Sequence, residues 1–180
     1  MAEALRLHPL ADRRFATGGV TIEPCPAAER ISLRAGGDAL PAIDKALGLE
    51  LPRRPKASAR AKELTALWLG PDEWLVIGKD GAGLAAKLAN VEGAAFSAVD
   101  ISHRNTAMSV SGAKAALALA SGCPQDLSLA AFPVGACSRT VLGKSEIVLL
   151  REAETDFRVE CWRSFSDYVW KYLVDAAKSA

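Results

Sequence analysis

Chemistry in this chain would have to come from a short set of side chains. Asp100, His103 and Arg104 lie close together in "VDISHRNT" (Val99 to Thr106). An acid, an imidazole and a guanidinium at that spacing offer an acid, a base and a fork suited to carboxylates. The competing reading is a polar linker between two apolar strands, closed by an internal Asp-Arg pair, and the runs on either side favour it. The glycines of "GKDGAG" (Gly78 to Gly83) precede a helical pattern. They lack both the Gly-Lys-Ser/Thr end of a phosphate loop and the order of the dinucleotide fingerprint, so a turn that starts a helix is favoured over a phosphate cradle. Ser109, Ser111 and Gly112 do not form G-x-S-x-G. The histidines, His8 and His103, show no metal-ligand spacing to a cysteine, and Cys25, Cys123, Cys137 and Cys161 contain no C-x-x-C pair. Reduced, packed thiols are expected rather than disulfides or a metal site. No catalytic residue and no metal ligand are predicted, and no cofactor-binding residue can be assigned.

The bulk composition excludes several function classes. The chain has 180 residues, 22 Lys and Arg against 21 Asp and Glu, and a net charge of +1. That balance leaves no electrostatic footprint for nucleic acid or an anionic membrane. Its apolar runs, such as "AALALA" (Ala115 to Ala120), fall well short of the ~20 residues that cross a bilayer, and the first residues carry no secretory h-region. The expected location is the cytoplasm.

Positioning any site falls to a series of short elements. Residues 1–29 hold Pro9, Gly18, Gly19, Pro24 and Pro26 around a brief "VTIEP", which predicts an extended N-terminal arm. Residues 30–180 read as one duplicated α+β domain, with halves at about 30–103 and 104–180. In the first half "RISLRAG" alternates as a strand, "DALPAIDKALGL" follows with helical spacing and Asp38 as N-cap, and "ELPRRPKASARAKE" is a solvated basic loop. The hairpin "LTALWLGPDEWLVIG", the helix "GLAAKLAN" and the strand "AAFSAVDIS" complete it. Strand, helix, strand, strand, helix, strand is the order of a ferredoxin-like, split βαβ unit. The second half begins the same order again with "NTAMSVSG" and "AKAALALASG". It ends in a hairpin near Gly143, the strand "TDFRVECW" and a last helix. That helix is predicted to be capped by Ser164 and to face its sheet with Phe165, Tyr168, Val169, Tyr172, Leu173 and Ala176, leaving Trp170 and Val174 off the stripe.

The hairpin is apolar on both faces. A turn at Pro71 predicts pairing of Leu69 with Trp74, which puts Leu67, Leu69, Trp74 and Val76 on one face and Ala66, Trp68, Leu75 and Ile77 on the other. The unit's own helices cover one face. The other needs a cover from the second half or from another protein.

The segments "HPLADRRFATGGVTIEPCPAAERISLRAG", "ALGLELPRRP", "LTALWLGPDEWLVIG", "VDISHRNTAMSVSGAKA", "SGCPQDLSLAAFPVGACSRTVLG" and "WRSFSDYVWKYLVDA" resemble, in order and over essentially the whole chain, the gamma subunit of bacterial heterotetrameric sarcosine oxidase. "LWLGPDEWL" and "GCPQDL...FPVGAC" are the most specific of them. The resemblance implies a fold like the folate-binding domain of aminomethyltransferases and an assembly with alpha, beta and delta chains. It implies a complex that demethylates sarcosine oxidatively to glycine, giving hydrogen peroxide with formaldehyde or 5,10-methylenetetrahydrofolate. FAD, FMN and NAD would sit on the larger chains and zinc on delta, with no cofactor on this chain. No ligand role is carried to His103 or Arg104. A structural and assembly subunit is the leading expectation; a standalone folate-binding or aminomethyltransferase-like protein is the alternative.

Overall fold

A computed structural model describes residues 9–180, so His8 lies outside the described residues. The first half contains β3 (Ala28–Ala35), α1 (Leu40–Leu47), β4 (Ser58–Ala61), β5 (Leu64–Gly70), β6 (Glu73–Lys79), α2 (Leu84–Ala89) and β7 (Phe96–Asp100). Its sheet runs β4-β5-β6-β3-β7, every neighbour antiparallel. Without β4 this is the strand order of a split βαβ unit. The second half contains β8 (Asn105–Ser111), α3 (Ala115–Ala120), β9 (Cys137–Leu142), β10 (Ser145–Ala153), β11 (Asp156–Trp162) and α4 (Ser166–Ser179). Its sheet runs β9-β10-β11-β8 and continues into β2 (Thr21–Pro24) and β1 (Phe15–Ala16).

The two halves correspond element by element, from β3 with β8 to α2 with α4. The second half has no strand of its own after α4, and β2 fills the place that β7 holds in the first. The segment read as an extended arm is therefore built into the second sheet. Ile22 pairs with Val110, Val20 and Ile22 are buried in the core between that sheet and α3 and α4, and Leu10 joins them. A local proline and glycine pattern identifies extended chain, but its pairing partner lies far along the sequence.

The two sheets pack face to face, and each carries its own helices on its outer face. Three apolar clusters result: β8, β10, β11 and β2 against α3 and α4; β3, β5 and β6 against α1 and α2; and Leu67, Leu75, Ile77, Ile101, Cys137, Val148 and Leu150 between the sheets. The second face of the β5-β6 hairpin is thus covered within this chain.

Four local expectations are corrected. Trp68, not Leu69, pairs opposite Trp74, and Gly70 pairs with Glu73, so Leu69 is an extra residue at a bulge. That shift turns both tryptophans to the helix side, and leaves Leu67, Leu69, Leu75 and Ile77 facing the other sheet. Trp74 is fully buried and its Nε1–H donates to the Pro52 carbonyl at 2.7 Å, which anchors the basic loop. That loop also contains β4, whose Arg60 reaches Glu152 of β10 at 2.9 Å. Asp38 does not cap α1, which starts after Ala39 with Pro41 in its first turn. Ser164 does not cap α4; it lies in a single 3₁₀ turn, and α4 buries Ser166, Val169, Trp170, Leu173 and Ala177. Relative to the predicted stripe the helix is rotated, so Trp170 faces inward while Phe165 and Tyr168 face out. Among the described residues no helix is long and apolar enough to cross a membrane.

Candidate interaction site

The glycine-rich turn starts a helix, and its anion position is already taken. Gly83 adopts φ 68° at the start of α2, and the Glu29 carboxylate accepts the Gly83 N–H at 3.0 Å and the Leu84 N–H at 2.7 Å. A carboxylate at a helix start is held by unpaired N–H groups and the helix dipole, the same two features that would hold a phosphate. The turn offers no room for a second anion there.

The polar stretch between the halves serves as a joint. Asp100 Oδ1 accepts the Ser102 N–H at 2.8 Å and the Ser102 hydroxyl at 2.5 Å. Ser102 Oγ in turn accepts the Arg30 N–H at 2.9 Å, and the Ile101 N–H donates to the Arg30 carbonyl at 2.8 Å. Arg104 places its guanidinium over the Trp162 ring, 4.8 Å from the centroid, and its carbonyl accepts the Arg163 N–H at 2.7 Å. His103 is exposed beside a separate surface pocket that also includes Arg30 and Asn105. Asp100 therefore serves a turn that locks β3 to β7, Arg104 is a cation over an aromatic ring, and His103 stands apart from both. Ser109 Oγ donates to the Glu23 carbonyl at 3.3 Å, a bond that supports the β2-β8 pairing.

All four cysteines are buried thiols without disulfides. Burial pushes Cys25 and Cys137 up to about 11 and Cys161 up to about 12, which removes the thiolate a nucleophile or metal ligand needs. Cys137 Sγ instead donates to the Ala57 carbonyl at 3.1 Å. Among the described residues no group of three or more His, Cys, Asp and Glu is placed to hold a metal ion.

A charge cluster between the sheets has no counterpart among the sequence candidates. Glu160 of β11 is 1% exposed and Arg30 of β3 is 3% exposed. Arg30 Nε donates to Glu160 Oε2 at 2.7 Å and its Nη2 to Oε1 at 3.2 Å, a bidentate fork that ties one sheet to the other. Arg158 Nε donates to Glu160 Oε1 at 2.8 Å from the same face of β11, and Arg30 Nη1 also reaches the Ala28 carbonyl at 3.0 Å. The signal was present as charged residues at alternating positions in "RISLRAG" and "TDFRVECW". Without the second sheet, that pattern reads as a solvated strand face.

Beyond this cluster the sheets part around a cavity of about 90 Å³, lined by Ser32 and Leu69 on one side and Asn105, Glu160 and Trp162 on the other. Arg139 of β9 pairs with Glu73 of β6 across its rim. One row on the facing side of the second sheet reaches this cavity. That row is Val141, Glu146, Trp162 and Asn105, as the pairings of Val141 with Glu146 and of Trp162 with Asn105 establish. Trp162 is 39% exposed and Phe165, whose ring centroid lies 6.1 Å away, is 44% exposed. The arrangement is chemically an aromatic ledge of mixed charge, Arg104 and Glu146 both lying at the cavity mouth, with no nucleophile and base in contact among the described residues.

The model of the "Sarcosine oxidase, gamma subunit family" matches residues 35–179. The sarcosine oxidase subunit gamma of an Arthrobacter species is 35% identical over 163 residues, covering 88% of this chain and 80% of that protein. The subunit gamma of Corynebacterium sp. strain U-96 is 30% identical over 180 residues, covering 98% of this chain and 86% of that protein. A chain in the structure of the heterotetrameric sarcosine oxidase from Corynebacterium sp. U-96, in complex with pyrrole 2-carboxylate, superposes with a TM-score of 0.89 at 26% identity. That match covers 98% of this chain and 96% of the other. The glycine cleavage system aminomethyltransferase T from Bartonella henselae shares the fold, with a TM-score of 0.64 at 12% identity over 89% of this chain and 49% of that one. From the match along residues 35–179 and the identity to these relatives, this chain belongs to the sarcosine oxidase gamma subunit family.

Proposed function

We propose that the chain is a non-catalytic assembly subunit of a cytoplasmic heterotetrameric sarcosine oxidase. In that complex sarcosine is demethylated to glycine on other chains, with hydrogen peroxide and formaldehyde or 5,10-methylenetetrahydrofolate as products. The carrying observation is the match in family and fold to a chain of such an oxidase over nearly the full length. The residues support it. The glycine-rich turn is filled by Glu29, burial raises the Cys25, Cys137 and Cys161 thiols, and the polar stretch at residues 100–104 joins the halves. On this reading FAD, FMN and NAD belong to the alpha and beta partners and zinc to delta, and the reaction is carried by those chains. Likeness to an aminomethyltransferase is likeness of fold and does not carry its activity.

The isolated chain tests the non-catalytic half of this reading. In titration calorimetry against millimolar tetrahydrofolate it is expected to give no saturable heat, and in a peroxide assay with sarcosine it is expected to give no turnover. Saturable folate binding or peroxide production by the pure chain would contradict it.

A further inference from the structure

The charge cluster between the sheets is unbalanced. Arg30 and Arg158 share the single carboxylate of Glu160, which leaves one cation in excess. Arg30 spends Nε and Nη2 on Glu160 and Nη1 on the Ala28 carbonyl. Arg158 spends only Nε, on Glu160 Oε1 at 2.8 Å. Its Nη2 is buried 2.7 Å from the same oxygen but makes no hydrogen bond, and among the described residues Nη1 makes none either. A guanidinium carries five N–H donors in a planar fork that matches the two oxygens of a carboxylate, so most of the fork of Arg158 is unused.

Arg158 lines a cleft of about 320 Å³ between the sheets, on the side of the cluster away from Trp162. That volume is in the range of small-molecule sites. Ile77 of β6 and Leu150 of β10, both buried, give the cleft an apolar floor. The charges at its rim are already paired, Arg60 with Glu152 at 2.9 Å and Lys79 with Glu63 at 3.4 Å. Those pairs cancel, and the uncompensated charge is that of Arg158, whose side chain is 15% exposed.

We propose that this cleft binds a small monocarboxylate, its carboxylate on the unused fork of Arg158 and its short hydrocarbon part on Ile77 and Leu150. One negative charge brings the cluster to two cations and two anions. A second would meet Glu63 and Glu152 at the rim, so dicarboxylates, the glutamyl tail of folate included, are disfavoured. The site goes beyond the assembly role and does not depend on it.

The test is titration calorimetry of the full-length chain at constant ionic strength, with butyrate as the probe. Saturable binding with a Kd of about 1 mM is expected, with succinate and inorganic phosphate at least about tenfold weaker. Arg158→Met is expected to weaken butyrate binding about tenfold or more, the loss of a hydrogen bond to a charged group, while Lys79→Met at the exposed rim stays within about twofold. Each variant's melting temperature is measured alongside. If Arg158→Met proves too unstable to titrate, Arg158→Lys decides, since it keeps the charge beside Glu160 and lacks the fork; a loss of about threefold or more is expected. No saturable heat up to about 50 mM butyrate, or equal binding by wild type and the folded Arg158 variant, overturns the proposal. Succinate or phosphate binding as tightly as butyrate overturns the assignment to monocarboxylates. None of these results touches the subunit reading, because no partner chain and no sarcosine enter the titration.

Discussion

Glu160→Gln is expected to remove roughly 3–5 kcal/mol of folding stability, the cost of stranding a buried charge whose partner has gone. Glu160 is the sole carboxylate of the Arg30, Glu160, Arg158 cluster, and Arg30 is held at the sheet interface with almost no access to water. Gln keeps the shape of the side chain and removes the charge, so packing loss contributes little to the result. Against a total stability of about 5–15 kcal/mol typical of a domain, a loss of that size brings the chain to the edge of unfolding. Arg158 keeps 15% of its side chain exposed and can turn to solvent; Arg30 cannot. The double variant Arg30→Met with Glu160→Leu is therefore expected to recover most of the loss, because replacing a buried ion pair by apolar residues is often neutral or stabilising. Urea midpoints for the variants decide it. A loss below about 1 kcal/mol for Glu160→Gln would mean that the pair is effectively solvated.

A chain truncated to begin at Cys25 is expected to be unfolded or aggregated rather than merely unable to assemble. It loses β1, β2, and the fully buried Leu10 and Ile22 together with Val20. Burial of each such side chain contributes about 1.5–3 kcal/mol. The truncation also strips the ladder along Thr21 to Pro24 from β8 and exposes the apolar face beneath. Adding the three side chains alone reaches about 5–9 kcal/mol, comparable with the stability of a whole domain. The loss of Arg13, which pairs with Asp167 at 2.8 Å on the surface, is minor beside this. Far-ultraviolet circular dichroism and solubility of the truncated chain measure the outcome. A soluble chain with native strand content would show that the N-terminal segment is a detachable arm.

The two effects mark where the sequence is legible. Periodicity revealed the repeated order of strands and helices, because each element's inward face is set by neighbours a few residues away. The hairpin's two apolar faces even implied a second layer, and that layer is the other half of the chain. Long-range pairing left no local trace. Nothing in "VTIEP" names β8 as its neighbour, and nothing in "RISLRAG" or "TDFRVECW" says that Arg30 and Glu160 meet inside. The Leu69 bulge shows the same limit at shorter range, since one extra residue moved Trp68 and Trp74 to a common face. The rotation of α4 follows from its 3₁₀ first turn, which shifts Trp170 inward and leaves Phe165 beside Trp162.

The candidate site was legible only in part. Asp100, His103 and Arg104 stood out because polar residues interrupt two apolar strands, and the structure uses Asp100 in a turn and Arg104 on an aromatic ring. Their significance as one side of a ledge depends on Trp162, which belongs to another element and is adjacent only through the pairing of β11 with β8.

The most direct test of the subunit reading is size-exclusion chromatography of the tagged full chain coexpressed with the candidate alpha, beta and delta chains, followed at flavin wavelengths. The expected result is one high-mass peak in which the tag and flavin absorbance coincide. A colourless monomer peak, separate from a flavin-bearing peak that lacks the tag, would contradict the account.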